Sequence, residues 1–566
     1  MTWQLVGGWL RSRTWTLGGL SLGLTVLSGL PVQAAEEIFF SYGPVERAVS
    51  TSSLETLIES GELTDDLAFY VDLVGLSEAE VAQLRQNLDR PLEMDGVLLS
   101  RFLYTNLGEE LLDQVGVILK TRAGGNGKLS LRAALIQAAN SPEGLSAINV
   151  VRSLPTDMQV RINDAQAVAD AVERIVNATT DSIVQLEQIT VRQAAERPAI
   201  DYTSLADLTV PGPARVQIQR FELTDTQRDR QLYVDVVRPR QWRGQAPVMV
   251  FSHGLTSSPE ARHQWASHLA SHGIVVVLPQ HPGSDRQQVA DFQAGLSSDV
   301  FEVQEFIDRP LDITFVLNEL ERLNPTEFGG RLNLDQVGVG GHSLGGYTAL
   351  AVAGAELNFN HLQEVCDSNF IYLNMSLLLQ CQALELPRET YRFRDPRVNS
   401  VLLVNPVNSS VFGPEGLAAV KVPVMVIAGS HDPATPAVFE QFRTFSWYTT
   451  ESRSLALIEG QAHISVSEVD AGLSQLLSNL PGLTLAEPEV VDRYLNALGL
   501  AFVGRHVARR PEYGLYLRSG YDTYLSQGEP FRLFMVNAGV EVDQQLITPL
   551  DDRLNPLELP NSQLEE

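Results

Sequence analysis

The chain has 566 residues, 44% of them hydrophobic, and its 69 acidic against 41 basic side chains give a formal net charge of −28. That length exceeds what one hydrophobic core usually fills, so two or three folded units are expected. The acidity repels phosphate backbones and anionic lipid surfaces, which argues against nucleic acid as a partner.

The first 34 residues hold no acid. Arg11 and Arg13 precede a Gly/Leu-rich apolar run over residues 15–30, then Val32-Gln33-Ala34. Basic, apolar and small-residue segments in that order read as a secretory signal peptide cut near Ala34 or Ala35, and hence as an exported, periplasmic or extracellular protein. An uncleaved anchor is the alternative, but the run is shorter and richer in glycine than the ~20 residues that span a bilayer. No later stretch is long and apolar enough to span, so no stable transmembrane anchor is expected.

Residues 35–160 read as a small all-helical domain, with room for one short strand near residues 38–42. Ser77-Glu78-Ala79-Glu80 is a capping box ahead of Val81, Leu84 and Leu88 at helical spacing. Gly124-Gly125-Asn126-Gly127 breaks the chain before a further helix over residues 129–139. This region has no histidine or cysteine, and nothing catalytic is expected in it. Ala165, Val168, Val172 and Ile175 form an apolar stripe, which predicts a helical linker over residues 161–213. Val210-Pro211-Gly212-Pro213 closes it.

From residue 214 to about 510 the pattern is α/β. Residues 216–223 and 232–237 alternate polar and apolar and predict an antiparallel pair. Short aliphatic runs at 248–251, 274–278, 337–340, 401–404 and 424–427 alternate with helical segments such as 308–323. Continuous apolar strands between helices predict a mostly parallel sheet covered on both faces. Residues 511–566 read as a C-terminal extension, disordered from Leu550 onward.

Gly341-His342-Ser343-Leu344-Gly345-Gly346 follows one such strand and precedes a helix. That is a nucleophile elbow in its strand-turn-helix context, with Ser343 as the nucleophile. A hydroxyl needs a neutral base and a carboxylate behind that base, in the chain order serine, acid, histidine. After the strand at 424–427 comes Gly429-Ser430-His431-Asp432-Pro433, which offers Asp432 as the acid. After a strand at 455–458 comes Glu459-Gly460-Gln461-Ala462-His463, which offers His463 as the base. Oxyanion donors are expected from the backbone N–H of Leu344 and of Leu255, the latter in Ser252-His253-Gly254-Leu255-Thr256. His253 is read as structural. His281, in His281-Pro282-Gly283, is either a rim contact for substrate or part of a plain turn.

Residues 356–397 are too long for an ordinary connection and read as a lid insert. Phe370, Tyr372, Met375 and residues 377–379 give it an apolar surface, with Phe370 and Tyr372 as candidate substrate contacts; packing on the helices below is the alternative. Cys366 and Cys381, the two cysteines of the chain, bracket that surface. In an exported protein they are expected to be bridged, the alternative being two buried thiols. Metal-ligand spacing is absent, so neither a metal nor an organic cofactor is expected.

The 252–256 turn, residues 281–285, the 341–346 elbow and the Asp432 and His463 loops together resemble the platelet-activating-factor acetylhydrolase and dienelactone-hydrolase-like branch of the α/β-hydrolases, over roughly residues 215–480. The resemblance implies the α/β-hydrolase fold. Dienelactone hydrolases use cysteine, so Ser343 favours the acetylhydrolase side. Members of that side can carry the acid after the preceding strand, where this chain has Asn405-Pro406-Val407-Asn408 and no carboxylate. The helical region resembles a domain of unknown function that precedes secreted bacterial hydrolases. The expectation is a serine-dependent hydrolase of a small-molecule or lipid ester. Polyester, thioester or peptide cleavage on the same triad is the alternative, followed by a non-catalytic binding protein on a hydrolase scaffold.

Overall fold

In the computed structural model, residues 35–42, 45–92, 94–368, 374–463, 485–539 and 542 are described. The proposed leader at residues 1–34 and the tail from Leu550 lie outside them. Among the described residues no helix is long and apolar enough to cross a membrane.

Residues 35–161 are not all-helical, which corrects the sequence expectation. Strands β1 (Glu37–Tyr42), β2 (Val45–Ser50), β3 (Leu119–Thr121) and β4 (Met158–Arg161) form a mixed sheet in the order β2-β1-β4-β3. β1 coincides with the strand allowed near residues 38–42. β3 and β4 are too short to carry a periodicity, and β4 pairs in parallel with the distant β1. Helices pack around this sheet. Glu78–Asp89 opens with the expected capping box, in which Ser77 and Glu80 satisfy each other's backbone N–H groups.

The expected linker helix is a single element of 34 residues, Ile162–Ala195. It is not a free spacer. Ala171, Ala178, Leu186 and Ile189 are buried in the core of the larger sheet, while Val172, part of the expected apolar stripe, is 48% exposed. Near its end, Gln193 donates to the Asn537 carbonyl at 3.0 Å.

That larger sheet is built from β5 (Val216–Asp225), β6 (Arg230–Pro239), β7 (Ala246–Ser252), β8 (Val275–Pro279), β9 (Leu332–His342), β10 (Val398–Val404), β11 (Val424–Gly429), β12 (Arg453–Ile458) and β13 (Leu533–Asn537). Their order is β13-β12-β11-β10-β9-β7-β8-β6-β5. β8, β7, β9, β10, β11 and β12 run parallel, and β5, β6 and β13 are antiparallel to their neighbours. Both faces are covered. Along β7, Val248 and Val250 enter one apolar core while Met249 and Phe251 enter the other, the two-residue period of a strand buried on both sides.

β13 lies beyond residue 510, where the body was expected to end. It caps the sheet beside β12, and the buried Asp522 carboxylate accepts from the Met535 N–H at 2.8 Å. A five-residue strand past a long helix gives no sequence signal that it will return to the sheet.

Eight of the ten histidines have imidazoles depressed below the ordinary range, with burial the largest cause at His253, His268, His272, His281, His342, His361, His431 and His506. His268 and His506 are pushed down to about 4. A depressed imidazole stays neutral in the fold but takes a proton in the unfolded chain near pH ~6.5, so its stabilising contribution is lost as the pH falls from ~6.5 towards 4. For the buried His268 the full loss is about 3 kcal/mol. Buried Glu305, Asp312 and Asp522, whose carboxyls burial raises, act in the opposite sense but are fewer. The thermal midpoint read by tryptophan fluorescence should drop between pH 7 and pH 5, and an unchanged or higher midpoint at pH 5 would refute this.

Candidate active site

Strand β9 delivers the elbow. Ser343, immediately after it, has φ 55° and ψ −122°, a conformation that costs a non-glycine residue energy and turns its side chain out of the strand-to-helix bend. The helix Leu344–Ala353 starts at once and is buried along its whole length. A Cβ at position 341 would lie 2.0 Å from the Gly345 carbonyl oxygen, and one at 345 would lie 2.1 Å from that of Ser252. Strand, helix and the neighbouring β7 end can therefore approach this closely only with glycine at both places.

The loops after β11 and β12 bring Asp432 and His463 to this bend. His463 Nε2 lies 2.8 Å from Ser343 Oγ, and His463 Nδ1 lies 2.7 Å from Asp432 Oδ2. The Asp432 side chain is fully buried. Its Oδ1 accepts from the N–H groups of Ala434 and Thr435 at 2.9 and 2.8 Å, and its Oδ2 also accepts from Thr435 Oγ1 at 2.8 Å. With one oxygen held by two backbone donors, the other is aimed at the imidazole.

His342 packs against His463 and holds its backbone. Its Nε2 donates to the His463 carbonyl at 2.8 Å, and the two rings lie 4.7 Å apart. Burial, then His463 and Arg262, hold its imidazole well below the usual range, so it serves as a neutral donor. Asn405, the first residue of the loop after β10, accepts from the Gly429 N–H at 2.8 Å through Oδ1. Asn408 Nδ2 donates to Tyr448 at 3.0 Å. These contacts tie loops together and leave Asp432 as the carboxylate on His463.

Leu344 is the first residue of its helix, so its N–H has no intrahelical acceptor. Leu255 borders the cavity beside Ser343. The turn before it is fixed by groups the sequence reading missed. Arg309, fully buried in the helix Glu305–Glu327, donates to the carbonyls of His253 at 2.7 Å and Gly254 at 3.3 Å, and to Ser284 Oγ at 2.8 Å. Ser284 Oγ in turn donates to Glu305 at 2.7 Å. Arg309 thus fixes the carbonyls of the turn, and the Thr256 N–H that follows donates to the Ser284 carbonyl at 2.8 Å. The only local hint was an arginine beside Pro310 in an otherwise ordinary helix.

His253 is structural, as expected. Its Nδ1 donates to the Gly254 carbonyl at 2.7 Å and its Nε2 accepts from the His281 N–H at 3.2 Å, which one neutral tautomer satisfies. His281 is not a rim residue, a correction to the substrate-contact expectation. It is fully buried, with Nδ1 donating to Asp312 at 3.0 Å and Nε2 accepting from Ser252 Oγ at 2.9 Å. Asp312 is paired with Arg228 and Arg230, so the ring is locked into a buried ionic cluster.

A cavity of about 350 Å³ opens over Ser343 and His463, walled by Leu107, Leu255, Met375, Leu378, Leu379 and Val407 among others. A larger depression of about 720 Å³, lined by Gln83, Arg85, Asn87 and Arg90, lies in the N-terminal region away from this chemistry. The insert reaches the smaller cavity through Met375, Ser376, Leu378 and Leu379. Phe370 and Tyr372 lie outside the described residues. Cys366 and Cys381 are bridged, with Cα atoms 5.9 Å apart, so the alternative of two free thiols is ruled out.

Glu440, fully buried, anchors the insert. It accepts from Asn374, Ser376 and Gln380 of the insert and from the N–H groups of Asn408 and Ser409 after β10. Its only sequence signal was one acid inside Val438-Phe439-Glu440-Gln441-Phe442. Among the described residues no group of three His, Cys, Asp or Glu side chains is placed to hold a metal ion.

Two family models match the chain. Residues 209–367, which include the elbow, match the chlorophyllase family, and residues 34–163 match an α/β-hydrolase family of unknown function (DUF1400). The chain belongs to the α/β-hydrolase superfamily. This hydrolase has the mostly parallel sheet and the strand-turn-helix elbow expected of it, and the chlorophyllase match stops before Asp432 and His463. No curated protein matches the hydrolase in a sequence search.

Proposed function

We propose that the protein is an exported serine-dependent carboxylic ester hydrolase of the acetylhydrolase-like kind, acting on an apolar or lipid ester through an acyl-enzyme. The observation that carries this reading is the chain of contacts from Ser343 Oγ to His463 Nε2 at 2.8 Å and from His463 Nδ1 to Asp432 at 2.7 Å. As Ser343 Oγ attacks the ester carbon, its proton passes to His463 Nε2, and the Asp432 carboxylate stabilises the imidazolium. The oxyanion is met by the N–H groups of Leu344 and Leu255. His463 then protonates the leaving alcohol, and water repeats the sequence on the acyl-serine to release the acid.

The aliphatic part of the cavity wall, which Arg262 and Arg286 border, and the modest volume support an apolar acyl group of limited length. The disulfide supports export, because such bridges persist in oxidising compartments.

A fluorophosphonate should modify the folded protein stoichiometrically, with the added mass on the peptide that contains Ser343. Absence of labelling in folded protein would defeat the enzymatic reading and favour a binding role.

A further inference from the structure

One wall of the cavity comes from a distant part of the chain. Leu107 borders the same space as Ser343 and His463, yet it belongs to the N-terminal region matched as residues 34–163. It sits in the first turn of the helix Asn106–Ile118, whose N-cap Thr105 accepts from the Gly108 N–H at 3.1 Å. Thr105 is 1% exposed, so the tip of this helix is seated in protein.

Contacts on either side hold that tip in place. Asn106 Nδ2 donates to Glu385 at 3.0 Å, in the turn Cys381–Glu385 that begins at the disulfide. The Asn106 N–H donates to the Asp299 carboxylate, which also feels the charge of Glu385. Arg101, in the preceding helix Gly96–Phe102, donates to the carbonyls of Phe292 at 2.6 Å and Gln293 at 3.2 Å, at the end of the helix Arg286–Ala294 whose first residue borders the cavity. A Cβ at position 295 would lie 2.0 Å from the Arg101 guanidinium, so this seat requires glycine there. The insert and the helix after His281 are thus joined through the N-terminal region, and Leu107 continues the apolar surface of Met375, Leu378 and Leu379.

We propose that the N-terminal region is a substrate-selecting part of the site: Leu107 limits the length of the acyl group, and Asn106 and Arg101 are the positioning residues that hold it. This rests on the ester-hydrolase reading above. An apolar side chain at a cavity wall discriminates between substrates by contact and exclusion, and a single methylene is typically worth ~10-fold or more. A region that merely stabilised the fold would alter turnover of all esters alike.

The test uses the full-length protein and para-nitrophenyl acetate and octanoate as probes. Leu107→Trp should lower the ratio of kcat/KM for octanoate over acetate about tenfold. Leu107→Phe, a smaller intrusion on a half-buried side chain, should lower it in the same direction and keeps the test open if the indole cannot be accommodated. The double variant Arg101→Gln/Asn106→Ala should change the ratio too, with KM for octanoate moving more than kcat. Ratios within twofold of wild type in folded Leu107→Phe and in the double variant would overturn the proposal while leaving the ester-hydrolase reading intact. A wild-type protein that neither hydrolyses the probes nor takes the fluorophosphonate would overturn both.

Discussion

Ser343→Ala should lower kcat by roughly 10⁴-fold or more on any ester the protein hydrolyses, with KM little changed. The argument is geometric. Ser343 Oγ is the atom His463 Nε2 faces at 2.8 Å, and removing it leaves no group at that point to attack a carbonyl. The alanine would occupy the same φ of 55°, so the substitution neither relieves nor adds backbone strain, and the fold should persist. What remains is the acceleration provided by the backbone donors and by binding alone. His463→Ala should cost a similar factor. The double variant should be no slower than either single one, because the pair acts as one unit. Steady-state kinetics with a chromogenic ester reads all three, and near-additive losses would show that the two side chains do not act together.

Asp432→Asn should cost about 10⁴-fold in kcat with little change in structure. The amide is nearly isosteric and can still offer its oxygen to the N–H groups of Ala434 and Thr435. Its NH₂ then faces His463 Nδ1, where the carboxylate had accepted at 2.7 Å. A donor there makes Nδ1 the acceptor and puts the proton on Nε2, pointing at Ser343 Oγ, so the ring can no longer take the serine proton. Thermal unfolding should show a folded variant. A loss under tenfold would mean that Asp432 orients the loop and not the imidazole. No neighbouring carboxylate could explain such a result from the loop after β10, which holds Asn405 and Asn408.

Glu440 and Arg309 explain how such a site is held without being part of its chemistry. Both are fully buried. Glu440 gathers donors from the insert and from the loop after β10, and Arg309 gathers carbonyls from the turn that precedes Leu255. Each couples a loop at the cavity to a helix, so the cavity wall and the turn before Leu255 inherit the rigidity of the sheet cover.

The parts of this protein that were legible in its sequence are those encoded within a few residues. The elbow could be read because its glycines and serine fall at fixed short spacing, Gly341 meeting a local steric demand from the Gly345 carbonyl, and the strand before them is continuously apolar. Asp432 and His463 could be read because each closely follows a short aliphatic strand, in the chain order a serine relay needs. The antiparallel pair β5 and β6 was visible from its alternation. Pairings between distant segments were not. The mixed sheet of residues 35–161, the return of β13 to the edge, the burial of His281 against Asp312 and the reach of Leu107 into the cavity have no local signature. Periodicity reports which face of an element is apolar, whereas the partner of that face is chosen only when the whole chain packs and buries it. The sequence by itself therefore determined the α/β class and the residues of the proposed relay. Tertiary structure decided what surrounds them, because contacts between segments far apart in the chain depend on the register and layering of the folded sheet.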